Sequence, residues 1–232
     1  MGRRIIHPKD GRGKGSLAEV SANEFLGRGI QGSVNAVSAR IFGGRRSSRV
    51  AMAEKTLEPP ASERVASLRE RLSEHIIGPR EPRDIVEIMH KFKELGMRTV
   101  PTFRLATDEH GREKFMMTDL RKLGEPVLPL WGEVSEHFML CGVGNYNELK
   151  ERILSDTEKA AEQGMMLGLD AWLLVFGEGG KRGAVGPFIA DIGFSGPATK
   201  NSIIQNKRFV EAYFTALENA YKQYIVNSSR PP

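Results

Sequence analysis

The chain has 232 residues, enough for one large domain or two small lobes, each with a core of its own. Its 40% hydrophobic and 27% charged residues describe an ordinary globular chain, and no run of 18 apolar residues exists that would span a membrane. The net charge is +5, and the lone cysteine, Cys141, excludes an intrachain disulfide and points to a reducing compartment, with the thiol read as a buried structural group.

Residues 1–20 are expected to form a flexible basic arm. Within the first 15 residues Arg3, Arg4, Lys9, Arg12 and Lys14 stand against Asp10 alone, a net +4, with Gly11, Gly13 and Gly15 interleaved. No apolar stretch stands behind them that would make a secretion signal. No aromatic residue is present for base stacking either, so the arm reads as a solvated tail and nucleic acid is not an expected partner.

Next comes Gly27-Arg28-Gly29-Ile30-Gln31-Gly32-Ser33-Val34, a G-x-G-x-x-G-x-V run. Between a strand and a helix it would be a dinucleotide fingerprint; between two strands it would be a loop that covers phosphates. The residues on its C-terminal side are β-like. Residues 34–41 are rich in β-branched side chains, residues 43–48 form a glycine-led polar turn, and residues 49–57 read as a third strand. The dinucleotide reading needs a helix directly after the glycines, so it falls.

With Lys55 in Ala53-Glu54-Lys55 on that third strand, the sequence resembles the protein-kinase-like superfamily. In that family a strand-borne lysine contacts the α- and β-phosphates of ATP while the glycine loop covers them. The resemblance implies that Gly27, Gly29, Gly32 and Val34 line the nucleotide. A charged helix is expected over 62–75 and an amphipathic one over 85–95, with Ile85, Ile88, Met89, Phe92 and Leu95 facing the core and Gly96 as its stop. Thirteen residues separate Glu87 from Val100, about the family's interval between its αC acid and the next strand, so the resemblance makes Glu87 the partner of Lys55. Glu94 and Glu81 are alternatives.

Residues 99–107 and 114–120 form a further hairpin, turned around Asp108 and Gly111, with His110 a turn residue. The second strand resembles the one entering the kinase hinge, which places Met117 near the gatekeeper and the backbone around Asp119 at adenine. Residues 124–131 read as a linker with two prolines, 133–140 as a short helix, and 146–164 as a long helix capped by Asn145.

Two later segments would carry chemistry. Asp191-Ile192-Gly193 resembles the D-F-G turn with Ile in place of Phe, so Asp191 would hold the magnesium that bridges the phosphates. The catalytic loop departs from the family pattern. No His-x-Asp occurs before the apolar strand 173–176, and ungapped counting puts Leu167 at the base position and Trp172 at the asparagine position. Asp170 is the acid available there, as catalytic base or as second metal ligand. A last helix is expected over 203–225, with Phe209, Val210, Phe214, Leu217 and Tyr221 on its apolar side.

The resemblance spans 25–194. It implies an α+β, two-lobed protein-kinase-like fold: a five-stranded antiparallel N-lobe sheet with an αC helix (21–120), then a small, mainly helical C-lobe (121–232) like that of minimal bacterial kinases and bacterial effectors. The implied activity is ATP- and Mg²⁺-dependent transfer to a hydroxyl of a protein, Ser/Thr first, in the cytoplasm or in a host cytosol. Alternatives are a pseudokinase that binds nucleotide or protein, an AMP-transferring enzyme and a small-molecule kinase.

Overall fold

A computed structural model describes residues 4–8, 18–29, 32–43, 46–57, 82–107, 111, 113–130, 142–192 and 196–228. The helices expected over 62–75 and 133–140, together with Glu81, His110, Cys141 and Gly193, lie outside the described residues. The architecture is mixed α+β. It divides into two compact units, residues 1–91 with 100–119 and residues 92–99 with 120–232.

The first unit is built on strands β1 (Arg4–Pro8), β2 (Ala18–Gly29), β3 (Gly32–Gly43), β4 (Arg46–Leu57), β5 (Phe103–Thr107) and β6 (Glu113–Thr118). Every neighbouring pair is antiparallel, in the order β1-β2-β3-β4-β6-β5, and β1 pairs with both β2 and β5 so that the sheet closes into a barrel. Sequence reasoning expects five strands and a flexible arm. The arm instead supplies β1, whose Ile5-Ile6 pair sits within the Arg4–Ile6 ladder to β2. Its backbone groups satisfy the two edges that an open five-stranded sheet would leave unpaired.

The β2–β3 and β3–β4 connections are both two-residue hairpins, with Gly29 opposite Gly32 and Gly43 opposite Arg46. Side chains alternate faces along each strand, and directly opposed residues share a face. Val37, Ala39, Met52, Ala106 and Met116 form one buried cluster, and the register puts all five on the same face. That face is the barrel interior.

Helix α1 (Pro82–Glu94) begins on Pro82, whose missing N–H costs nothing in a first turn, and has Asp84 there to complement the helix dipole. It stops at Gly96, in the left-handed region at φ 71°, where Met97 N–H reaches the Phe92 carbonyl. Ile85, Val86, Met89 and Phe92 are buried, Ile88 is half-buried and Leu95 is exposed. The buried stripe is therefore turned toward Val86 relative to the expected one.

The second unit contains helices α2 (Tyr146–Glu162) and α3 (Lys200–Ser228) and two small sheets. One sheet orders β10 (Val185–Ile189), β9 (Trp172–Phe176) and β7 (Val127–Pro129), so the expected proline linker includes a strand. The other pairs β8 (Met165–Met166) with β11 (Gly196–Pro197). Along α2, Leu149, Ile153 and Ala160 are buried as their spacing requires. On α3, Val210, Phe214 and Leu217 are buried and Tyr221 half-buried, but Phe209 is 59% exposed, one helical step outside the expected stripe. Asn145 makes no side-chain cap. Its amide instead mimics a peptide: Nδ2 donates to the Val185 carbonyl and Oδ1 accepts from the Val185 N–H, both at 2.9 Å, which fixes the start of β10. No helix among the described residues is long and apolar enough to cross a membrane.

Candidate functional site

In the first unit the glycine run is a hairpin with strand on both sides: Gly27 opposes Val34, Arg28 opposes Ser33 and Gly29 opposes Gly32, after a register shift between Phe25 and Gly27. A strand, β3, comes directly after it, which removes the dinucleotide alternative on structural grounds. The neighbouring ladders define two rows on the outer face of the barrel. Val34, Lys55, Phe115 and Leu105 stand side by side, and next to them Ala36, Ala53, Met117 and Phe103. Three residues named from separate segments, Val34, Lys55 and Met117, thus share one face beside the glycine hairpin.

Lys55 is only 9% exposed. Phe115, Leu105, Met117 and Phe103 around it are buried, and the Phe103 and Phe115 rings meet at 5.3 Å. Helix α1 lies along this face: Arg83 pairs with Glu113 at 3.5 Å, and the His90 Nε2–H donates to the Phe103 carbonyl at 2.9 Å. At its exit, β6 is held by Thr102, whose carbonyl accepts from Thr118 N–H and whose N–H reaches Thr118 Oγ1. Asp119, the next residue, is buried.

Glu87 is not brought to Lys55. It is exposed on α1, and among the described residues no ion pair joins the two. The helical period explains this: with Ile85, Val86, Met89 and Phe92 turned inward, Glu87 falls on the opposite side of the helix. Glu94 is exposed as well.

Sequence reasoning missed the charge pair inside the barrel. Glu54, adjacent to Lys55, points the other way and accepts from Lys114 Nζ at 2.9 Å, with both side chains 2% exposed. The strand period assigns the faces, but nothing in the sequence pairs two residues sixty positions apart.

In the second unit β9 and β10 run antiparallel from Phe176↔Val185 to Trp172↔Ile189. Past the ladder's end, Ala171 stays beside Ala190 and Asp191. The backbone keeps the approach, since the Ala171 carbonyl accepts from both Ala190 N–H (2.9 Å) and Asp191 N–H (3.3 Å). Asp170 sits in a 3-10 turn, residues Leu169–Ala171, and is exposed; Asp191 is half-buried. The Asp170 carboxylate lies over Gly168, so close that a Cβ at 168 would run into Oδ1. Leu167 and Trp172, which ungapped counting places at the base and asparagine positions, are each 1% exposed core residues. Asp170 is the acid that faces solvent. Ile192 after Asp191 is also a 1% exposed core residue.

Supporting contacts hold these segments. Asn206 of α3 donates from Nδ2 to the Leu167 carbonyl at 2.9 Å. Arg98 braces β10 by accepting from Ile189 N–H on its carbonyl and by laying its guanidinium 4.5 Å over the Phe188 ring, with Glu178 as ion partner. Its own N–H donates to Asp156, a fully buried carboxylate of α2 that also pairs with Arg152. Burial lowers the Arg98 pKa, as does Arg152 nearby, and Asp156 opposes both.

Among the described residues no three or more His, Cys, Asp or Glu side chains converge as a metal cage. Asp170 and Asp191 are nonetheless hard oxygen donors of the type that magnesium takes. That ion keeps several waters and is commonly held by one or two carboxylates together with substrate phosphates. The chain matches no protein-family model, and no curated protein sequence matches it.

Proposed function

We propose that the chain is an ATP- and magnesium-dependent phosphotransferase of minimal protein-kinase-like type, acting on a hydroxyl of a protein, Ser or Thr first. The observation that carries the reading is the register that puts Val34, Lys55 and Met117 on one face beside the glycine hairpin. A nucleotide there would have the hairpin backbone against its phosphates, an apolar surface from Val34, Ala53 and Met117 for its base, and the ammonium of Lys55 for the α- and β-phosphates. The closeness of Asp191 to Ala171, the residue after Asp170, supports the second half of the reading. Asp170 and Asp191 would hold magnesium, which neutralises charge on the phosphates. Asp170, on the solvent side, serves as proton acceptor or as second ligand.

One observation favours a second reading, a nucleotide-binding module without transfer: Glu87 is turned to solvent, so it does not orient Lys55. A single assay distinguishes these readings. Purified protein is incubated with Mg²⁺ and either γ-labelled or α-labelled ATP, alongside Lys55→Ala and Asp191→Ala, each checked for folding by circular dichroism. Transfer of γ-label that both variants lose supports the phosphotransferase. Incorporation of α-label indicates AMP transfer, and ATP-dependent thermal stabilisation without transfer indicates the binding module. Absence of any thermal response to ATP and Mg²⁺ in the folded protein refutes all three.

A further inference from the structure

Helix α3 divides into three arcs when its residues are set 100° apart. One arc is core, carrying Val210, Phe214 and Leu217. It is tied down by the Tyr146 hydroxyl on the Phe214 carbonyl and by Asn206 on the Leu167 carbonyl. A second arc holds every charged residue of the helix: Lys200, Lys207, Arg208, Glu211, Glu218 and Lys222. The third arc carries none. On it Phe209 is 59% exposed, Ala216 is exposed, and Tyr213 and Ala220 are half-exposed.

The spacing of these four is 4-3-4, the a/d spacing along which two helices interlock. Their order matters more. In an antiparallel pair of identical helices centred between Phe214 and Thr215, Phe209 of one copy stands opposite Ala220 of the other, and Tyr213 opposite Ala216. Each aromatic ring meets an alanine in every layer, and the twofold repeats both contacts. A parallel pair would instead set Phe209 on Phe209 and Tyr213 on Tyr213, then Ala216 on Ala216 and Ala220 on Ala220, leaving clash in the first two layers and void in the last two. The stripe closes at its C-terminal end on Gln223, an exposed polar residue.

We infer that this face of α3 is the interface of a homodimer, made by antiparallel, twofold-symmetric packing of Phe209 against Ala220 and of Tyr213 against Ala216. The occupant is a second copy of the chain because the surface is complementary to itself in size and order and lacks the charges that would select an unlike partner. Two aromatic and two alanine positions per helix make a contact smaller than the roughly 1,200 Å² of a standard interface, so association is expected to depend on concentration.

Sedimentation of the full chain from about 1 to 100 µM tests this. The weight-average mass should rise from 25.8 kDa toward twice that value. Ala216→Glu, which buries an unpaired charge in the central layer, should raise the dissociation constant at least about 100-fold. Phe209→Ala and Ala220→Phe should each weaken the dimer about tenfold or more, and the double variant Phe209→Ala/Ala220→Phe should restore it, because large and small merely change sides. All three positions are at least partly exposed, so the variants keep their helical ellipticity. A chain that stays monomeric throughout, whatever else later proves to bind this face, overturns the inference. So does a dimer that tolerates Ala216→Glu, or a double variant no tighter than the singles.

Discussion

Glu54 and Lys55 are neighbours in sequence and opposites in the fold, and separating their consequences tests the register on which the functional reading rests. Glu54 pairs with Lys114 at 2.9 Å inside the barrel, both side chains 2% exposed. At that separation the Coulomb attraction is about 6 kcal/mol for an effective dielectric of 20, most of it offset by desolvation of the two ions. Removing one partner leaves the other charge buried, so Glu54→Gln or Lys114→Met should each cost about 3–5 kcal/mol. Converting the pair to apolar residues, as Glu54→Leu/Lys114→Met, should come within about 1–2 kcal/mol of wild type, because the register sets Glu54 against Met116 and Lys114 against Ala106, both members of the interior cluster. Residues 1–91 and 100–119 contain no tryptophan or tyrosine. The first unit is therefore followed by hydrogen exchange and far-ultraviolet dichroism in urea, while buried Trp172 reports on the second unit as an internal control. With a urea slope of about 2 kcal/mol/M, the midpoint of the first unit should fall by roughly 2 M in each single variant and recover in the double. Lys55→Met should do the reverse, leaving the barrel's midpoint near wild type while abolishing stabilisation by ATP and Mg²⁺. A Glu54→Gln protein as stable as wild type, or a double variant as weak as the singles, refutes the inward placement of Glu54 and with it the outward placement of Lys55.

Further variants probe the second unit. Gly168→Ala keeps an ordinary backbone, since φ −74° and ψ 169° suit alanine, but its Cβ displaces the Asp170 carboxylate. The fold should survive while the Mg²⁺ needed for half-maximal thermal stabilisation by ATP rises about tenfold; an unchanged Mg²⁺ dependence would free Asp170 of any metal role. Asn145→Ala removes two 2.9 Å hydrogen bonds to the backbone of Val185, itself 2% exposed, and should destabilise the second unit by about 2–3 kcal/mol in urea followed by Trp172 fluorescence. Tyr146 and Tyr213 are both pushed up to about 12, chiefly by burial, with Glu218 adding to the effect at Tyr146. Both lie above the unfolded value of about 10. Their contribution to stability is therefore complete below pH 10 and lost as pH rises through 12. An absorbance titration at 295 nm should show two tyrosines ionising near pH 12 in the folded protein, and one fewer in Tyr146→Phe.

Much of the first unit is legible in the sequence because its signals are local. The glycine signals and β-branched runs mark strands β2 to β4 without reference to anything distant, but Arg46–Ser48, expected in a turn, are paired residues of β4. The strand at Arg4–Pro8 is not legible, since its charge and flanking glycines resemble those of a disordered tail. What orders it is the pair of open edges on β2 and β5, and those edges exist only once the rest of the sheet has formed. Glu87 illustrates the same limit from the other side. Interval counting puts it at the right distance from Val100, but with Ile85, Val86, Met89 and Phe92 buried the helical period leaves Glu87 on the opposite side of the helix.

Asp170 and Asp191 show how a weak motif gains content from topology. Along the chain, Asp170 lies in a loop lacking the residues its neighbours should provide, and ungapped alignment assigns the roles to Leu167 and Trp172. Both are core residues, so substitution there would disturb packing and reveal nothing of chemistry. The information lies in the ladder instead. Once Trp172 is set against Ile189, the residues just past the ladder's end are brought together, and the Ala171 carbonyl holds them there by accepting the Ala190 and Asp191 N–H groups. Cross-strand register depends on both segments jointly, and neither segment alone contains it. The consequence for chemistry is direct. A change that slips β10 by one residue against β9 would move Asp191 to the other face while leaving its identity unchanged. Loss of the Asn145 clasp on Val185, or of Arg98 on Ile189, is therefore expected to impair the acid pair from a distance.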